Sequence, residues 1–319
     1  MPQPVRCAVI GAGHIGRFHA EKYARHPAAR LVAVVDTDPQ RADAIGRPHG
    51  AEAWTDLARL AGRVDAVSIC APTPFHFAIA CECIQAGIHV LVEKPVAVTL
   101  DEADQMIARA EAAGIVLQVG HLERFSMAGL GFEAVLDDPA FVDARRLTAF
   151  RGRGADVSVV LDLMIHDIDL VTALIRSPVV EASGVGRRVV SDSEDVAAGQ
   201  LRFANGARAT LLASRVSPVA ERSLRVLQGS GEIAIDLQGR RLSATRASVR
   251  GDAPTTIEAA QPDADPLGAQ IDSFLGCIAT GRRPVVGGRD GRDALATALA
   301  VIQSIRSGGA AVPIEKSHA

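Results

Sequence analysis

Apolar residues in the first third of the chain fall into short continuous runs separated by longer stretches with helical spacing. The runs Val5 to Ile10, Leu31 to Val35, Val64 to Cys70, Val90 to Val92 and Ile115 to Val119 predict strands. Helices are predicted between them. One ends near His26, one runs from Phe75 to Gln85 before Gly87, and one opens with the capping box of Thr99 and Glu102 and ends at Gly114. Strand and helix in alternation predict a doubly wound parallel α/β sheet over residues 1–120.

The pattern changes after Gly120. A helix near Met127 to Leu136, a strand near Arg145 to Arg151 and a helix near Val160 to Ile175 come first. The β-like runs Glu181 to Val190, Val196 to Phe203, Ala207 to Ser214, Arg222 to Gly229, Gly231 to Leu237 and Arg241 to Ser248 follow. Strands in succession with short turns such as Asn205-Gly206 predict an antiparallel or mixed sheet. Ile271, Phe274, Leu275 and Ile278, then Ala294 to Ile305, predict two closing helices. Residues 121–319 therefore read as a second α/β domain with a large, mostly antiparallel sheet.

Length and composition agree with two cores, since one core rarely grows past about 250 residues and this chain has 319, 48% of them hydrophobic. Aromatics make up 3%, so the cores must be built from Val, Leu, Ile and Ala. A formal charge of −3 supplies no basic field for nucleic acid. The cysteines, Cys7, Cys70, Cys81, Cys83 and Cys277, form no CxxC pair and read as free thiols in a reducing compartment. No apolar run approaches 18 residues and the N-terminus enters a strand almost at once, so neither a membrane span nor a signal peptide is expected. A cytoplasmic enzyme is the expectation.

The glycine turn carries the first chemistry. Gly11-Ala12-Gly13-His14-Ile15-Gly16 follows the first strand, and Asp36 closes the second, 20 residues beyond Gly16. Gly11 would make the tight turn, Gly13 would admit a pyrophosphate to backbone N–H groups, and Gly16 would let helix and strand pack closely. The helix N-terminus would face the phosphates. Asp36 would accept from the adenosine ribose and repel a 2′-phosphate, which points to NAD over NADP.

Three other segments fall at strand ends or on one helix. Glu93-Lys94-Pro95 follows a strand and would set Lys94 in the ligand crevice, the alternative being a solvated loop lysine. Pro72-Thr73-Pro74-Phe75-His76 reaches the same edge, with Thr73 able to meet the cofactor and His76 near a helix start. In VVLDLMIHDIDL, Asp162, His166 and Asp169 are spaced to share one helix face, where the carboxylate would make His166 a better base. His121, Glu123 and Arg124 could meet a substrate or form an ordinary salt-bridge cluster.

GAGHIG, VDTDPQRA, APTPFHFAIA, VEKP and the DxxxHxxD of LDLMIHDIDL, in this order, resemble the Gfo/Idh/MocA oxidoreductases over essentially the whole chain. The resemblance implies a Rossmann domain and an α/β domain with an open sheet, often packed in dimers or tetramers. It also implies oxidation or reduction of a sugar or cyclitol ring carbon lined by Lys94, Asp162 and His166. Within the family, GHLERF and DVSVVLDLMIHDIDL are similar to the UDP-N-acetylglucosamine 3-dehydrogenases of lipid A precursor synthesis, whose product passes to an aminotransferase. Members of that group commonly read RFNPA where this chain has Arg124-Phe125-Ser126-Met127-Ala128, so no contact by an Asn is carried over to position 126.

On that reading His166 takes the hydroxyl proton, imidazole being suited to the task at neutral pH. Lys94 stabilises the developing charge on the same oxygen, and Asp162 orients His166 or binds a neighbouring hydroxyl. Glu93 braces Lys94 or meets the nicotinamide ribose. Arg124, Arg151 and Arg153 are candidates for a nucleotide-sugar diphosphate. No metal is called for. The rivals are an inositol or free-sugar dehydrogenase and a sensor that binds NAD and a sugar without turnover.

Overall fold

A computed structural model of the chain describes residues 3–150, 152, 157–246, 255–261 and 263–315. In chain order its elements are β1 (Val5–Ile10), α1 (His14–Arg25), β2 (Ala29–Val35), α2 (Pro39–Gly46), β3 (Glu52–Trp54), β4 (Ala66–Ile69) and α3 (His76–Gln85). Next are β5 (His89–Glu93), α4 (Leu100–Ala113), β6 (Leu117–Gly120), α5 (Glu123–Ala128), β7 (Pro139–Leu147) and α6 (Ile165–Ile175). The strands β8 (Val179–Arg187), β9 (Val196–Phe203), β10 (Arg208–Ser214), β11 (Glu221–Gln228), β12 (Gly231–Asp236), β13 (Arg241–Arg246) and β14 (Thr255–Ala260) follow. The chain closes with α7 (Pro266–Thr280), α8 (Gly288–Arg306) and β15 (Val312–Pro313). Among the described residues no helix is long and apolar enough to cross a membrane.

Two compact units result, Met1–Leu122 with Asp265–Arg292, and Glu123–Ala264 with Asp293–Lys316. The assignment of everything after residue 120 to a second domain is thereby corrected. Ile271, Phe274 and Leu275 of α7 share a core with Cys7, Val9, Tyr23 and Leu91 of the first unit. The apolar stripe of that helix finds its cover there, a fact of packing and not of sequence position.

In the first unit six parallel strands lie in the order β3-β2-β1-β4-β5-β6. This is the Rossmann order, whose direction of winding reverses between β1 and β4. Cys7, Ala8, Val9, Ala66, Val67 and Ile69 are fully buried, which is why the runs are continuous and not alternating. The capping box of α4 is formed as expected, and Gly114 ends the helix with φ +66. The sequence reading omitted α2, although its signals are local: Asp38 accepts from the N–H groups of Gln40 and Arg41, and Pro39 occupies the first turn.

Among the described residues of the second unit nine strands are ordered β14-β13-β12-β11-β7-β10-β9-β8-β15, and of their pairs only β7–β10 is parallel. Burial alternates along these strands. Val142, Leu224, Val226, Ile233 and Ile235 join Ile165, Ile168 and Val171 of α6 and Val301 of α8 in one core. The other face bears Asp143, Arg145, Glu221 and Arg225 and forms an open concavity of about 820 Å³.

Several expected boundaries moved. The helix near Met127 to Leu136 is the shorter α5 followed by a single 3₁₀ turn at Phe132–Ala134, because Gly131 turns left-handed at φ +67. The strand near Arg145 to Arg151 is β7, six residues earlier, while Arg151, Arg153 and Ser248 lie outside the described residues. β8 stops at Arg187, short of Val190, because the N–H groups of Val189, Val190 and Ser191 turn to the Asp195 carboxylate at 2.6, 2.7 and 3.0 Å. The strands β3, β14 and β15 were not read from the sequence.

Candidate active site

The glycine turn joins β1 to α1 at the point where the sheet order reverses. Gly11 has φ +101, and a Cβ on it would lie 2.6 Å from the Ala71 nitrogen, so the turn is both left-handed and pressed against the end of β4. A Cβ on Gly16 would lie 1.9 Å from the Gly11 carbonyl oxygen. At Gly13 the same atom would meet nothing within 4 Å. The first two glycines are thus required by the protein's own packing, while the third keeps clear a space outside it. Gly13, His14 and Ile15 are exposed, and the first turn of α1 has neither an acidic residue nor a side-chain cap. Its N–H groups can therefore receive an anion, and the cradle fits the pyrophosphate of a dinucleotide.

Asp36 is oriented by the same turn. Its Oδ2 accepts from the Ala12 N–H at 2.7 Å and its Oδ1 from that of Asp38 at 2.9 Å. A carboxylate oxygen has room for more than one donor, so acceptor capacity for ribose hydroxyls remains. The next cation, Arg41, is turned to Asp38 at 3.3 Å.

Thr73 is half-buried and begins a 3₁₀ turn, Thr73–Phe75, directly after β4. His76 is buried with Nδ1 2.9 Å from the Pro95 oxygen and Nε2 2.8 Å from that of Ala71. Both ring nitrogens face backbone carbonyls, of which a neutral ring can donate to one, so His76 is seated between the loop after β4 and the loop after β5. Lys94 is half-buried just beyond β5 and precedes a cis proline, Pro95. Glu93 faces inward, its Oε1 3.2 Å from His19 Nε2. Burial opposes the Glu93 charge, but the close approach of His19, with Lys94 and His76 nearby, holds its carboxyl below the ordinary range.

In the second unit a π-helical turn, Val160–Met164, leads into α6. Asp162 and His166 are half-buried, but Asp169 does not share their exposure. It is buried and takes Arg124 Nε at 2.7 Å and Nη2 at 2.8 Å. The expected single face of three residues is therefore reduced to two, and the Arg124 edge offered to a substrate is committed to Asp169.

A second ion network, absent from the sequence reading, lies beside it. The buried Arg146 of β7 reaches Asp167 Oδ1 at 2.7 Å and Glu123 Oε1 at 2.8 Å. Burial raises the Asp167 carboxyl despite the Arg146 charge. Breaking such a buried pair typically costs about 3–5 kcal/mol, so α5 and α6 are firmly clamped to β7. Glu123 and Arg124 belong to these ion pairs, in line with the salt-bridge alternative for their cluster, while Arg146 and Asp167 carried no signal in the sequence.

All five cysteines are free. Burial pushes the Cys83 thiol up to about 12 and raises Cys7 and Cys70 as well, so none of these is a ready nucleophile. Among the described residues no group of three or more His, Cys, Asp or Glu could hold a metal ion.

Comparison with known proteins agrees with this architecture. Residues 5–121 match the oxidoreductase family with an NAD-binding Rossmann fold, and residues 131–234 match the GFO/IDH/MocA C-terminal domain. The UDP-N-acetylglucosamine 3-dehydrogenase of Acidithiobacillus ferrooxidans is 36% identical over 93% of this chain and 96% of its own. The chain belongs to the Gfo/Idh/MocA family. It is an NAD-binding oxidoreductase, as its sequence motifs imply. A solved structure of the Acidithiobacillus enzyme superposes with a TM-score of 0.89 at 35% identity, covering 96% of this chain and 99% of that one. The scyllo-inositol 2-dehydrogenase of Bacillus subtilis is 28% identical over 97% of this chain and 96% of its own. Levoglucosan dehydrogenase, solved with NADH and levoglucosan, shares the fold with a TM-score of 0.88 at 20% identity over 98% of this chain and all of its own.

Proposed function

We propose that this protein oxidises the 3-hydroxyl of UDP-N-acetylglucosamine with NAD, supplying a 3-keto sugar to an aminotransferase in lipid A precursor synthesis. The observation that carries the reading is identity of 36% to a UDP-N-acetylglucosamine 3-dehydrogenase across nearly all of both chains. The weaker likeness to an inositol dehydrogenase, at 28%, supports the rival reading of a cyclitol substrate.

The N–H groups at Gly13, His14, Ile15 and Gly16 would hold the cofactor's pyrophosphate, with Asp36 accepting from its adenosine ribose and Thr73 alongside, while the Gly11 N–H is given to the Val35 carbonyl at 2.8 Å and shapes the turn. NAD supplies the acceptor for two electrons from the alcohol carbon. His166 takes the hydroxyl proton at its imidazole. Lys94 donates to the same oxygen and stabilises its developing negative charge. Asp162 orients His166 or accepts from a neighbouring sugar hydroxyl. What supports this division along the π-helical turn and α6 is that Asp167 and Asp169 are buried on arginines while Asp162 and His166 stay half-buried. Copies of the chain pair through the open face of the nine-stranded sheet, a reading supported by its alternating acids and arginines, which suit a self-complementary contact. The cell compartment on this reading is the cytoplasm.

The test is NADH formation with UDP-N-acetylglucosamine, coupled to an aminotransferase that removes the ketone, because alcohol oxidation by NAD at neutral pH runs uphill. Turnover in the coupled assay is the expected result. Turnover with myo-inositol or free glucose but none with the nucleotide sugar overturns the substrate assignment.

A further inference from the structure

Glu93 ends β5 with its carboxylate wedged inside the first unit. His19 Nε2 stands 3.2 Å from Oε1, and a Cβ on Gly120 would come within 2.6 Å of the same oxygen. Behind His19 lies a chain of polar groups. Its Nδ1 is 2.9 Å from Ser68 Oγ, which is 2.8 Å from the Tyr23 hydroxyl. His19, Ser68 and Tyr23 are completely buried. Polar groups in such a place are kept only if their protons are accounted for.

One proton arrangement serves the whole row. A carboxylate only accepts, so a proton on His19 Nε2 would face Glu93 across the 3.2 Å contact, which is an ion-pair approach and not an aligned hydrogen bond. A neutral ring then accepts at Nδ1 from the Ser68 hydroxyl, which accepts in turn from Tyr23. Among the described residues Ser68 is the single hydrogen-bond partner of the Tyr23 hydroxyl. In that arrangement every donor in the row points toward Glu93, and such chains strengthen one another in a low-dielectric interior.

We propose that His19 is a positioning residue of the active site: backed by Ser68 and Tyr23, it keeps the Glu93 carboxylate ionised and turned into the domain, beside Lys94 and out of the substrate's path. The inference rests on the reading that Lys94 acts in the reaction. A fixed negative charge thus lies on the residue before Lys94, while the inward turn stops the carboxylate from competing for the oxygen that Lys94 is to stabilise. The depressed carboxyl of Glu93 agrees with this arrangement. His19 also belongs to α1, so one helix offers its N-terminus to the cofactor and its buried side to the strand end that carries Lys94.

The experiment compares His19→Phe, which keeps the ring volume, with His19→Gln, which keeps a donor, and with Ser68→Ala at the far end of the row. Turnover, NADH affinity and pH profiles are measured on the full-length enzyme. Isotope-edited infrared spectra follow the Glu93 carboxyl, assigned with Glu93→Gln. His19→Phe is expected to lower kcat about 100-fold, the scale of a small misplacement of a catalytic group. NADH affinity should change little, the acid limb of the kcat profile should move to higher pH, and the Glu93 carboxyl should protonate at higher pH. His19→Gln should recover most of these losses, and Ser68→Ala should shift the carboxyl in the same direction by less. A His19→Phe enzyme with a lower Tm but wild-type kcat and acid limb overturns the proposal. So does a Glu93 carboxyl that titrates as in wild type in both His19→Phe and Ser68→Ala. Full turnover by Lys94→Ala would instead remove the reading of Lys94, and the infrared titration would still decide whether His19 holds Glu93.

Discussion

Two alanine substitutions one turn apart in the glycine fingerprint should fail in different ways. At Gly16 the new Cβ would stand 1.9 Å from the Gly11 carbonyl oxygen, and real Cβ atoms do not approach within 3.0 Å. The first turn of α1 must therefore move by more than 1 Å from the backbone it packs on. Overpacking of this kind costs about 1–3 kcal/mol, and the displaced N–H groups no longer converge on one anion. Gly16→Ala should lower both Tm and NAD affinity. Gly13 has φ −85 and ψ −166, which alanine adopts freely, and its Cβ would meet no protein atom. Gly13→Ala should leave Tm unchanged or slightly raised, since alanine restricts the unfolded chain by about 0.4–1 kcal/mol. The methyl instead occupies the space kept for the pyrophosphate, and a clash of about 1–3 kcal/mol weakens NAD about 5- to 150-fold. Thermal unfolding without ligand and NADH titration by fluorescence measure the two effects separately. Wild-type NADH affinity in a stable Gly13→Ala protein refutes the placement of the pyrophosphate at this turn.

Lys94→Ala and His166→Ala should each lower turnover by about two to four orders of magnitude with NADH binding retained. Near wild-type turnover of either, under conditions where chemistry limits the rate, refutes its role. Asp36→Ala combined with an arginine at position 37 should shift the ratio of kcat/KM for NAD and NADP toward NADP, because a repulsion is removed and a phosphate partner added; an unchanged ratio counts against Asp36 facing the ribose. Burial works against the Asp195 charge, but the N–H groups of Val189, Val190 and Ser191 and the Ser191 hydroxyl hold its carboxyl far below the usual range. Its folded value is depressed, so its contribution is complete above the unfolded value of about 3.9 and fades as pH falls toward the folded one. Denaturant unfolding should find Asp195→Asn less stable than wild type by a margin that is constant from pH 7 to 5 and shrinks below about pH 4. A margin that grows on acidification is the contrary result.

What could be read directly from the chain was whatever is encoded within a few residues. The glycine turn, Asp36, the capping box of α4 and the strand-end position of Lys94 depend on backbone geometry over one turn, and the structure forms each of these local features. The periodicity of α6 likewise marked Asp162 and His166, but it also grouped Asp169 with them. Helical spacing reports angle about an axis and says nothing of what lies opposite. Arg124, 45 residues away, decided that Asp169 faces inward. Distant packing also decided that α7 covers the first sheet, that His76 sits between two backbone carbonyls, and that Glu93 turns to His19 and not outward to a ribose. In each case two or more groups far apart in the chain must satisfy one another in a space that excludes water, and that choice exists only once the sheet has brought them together.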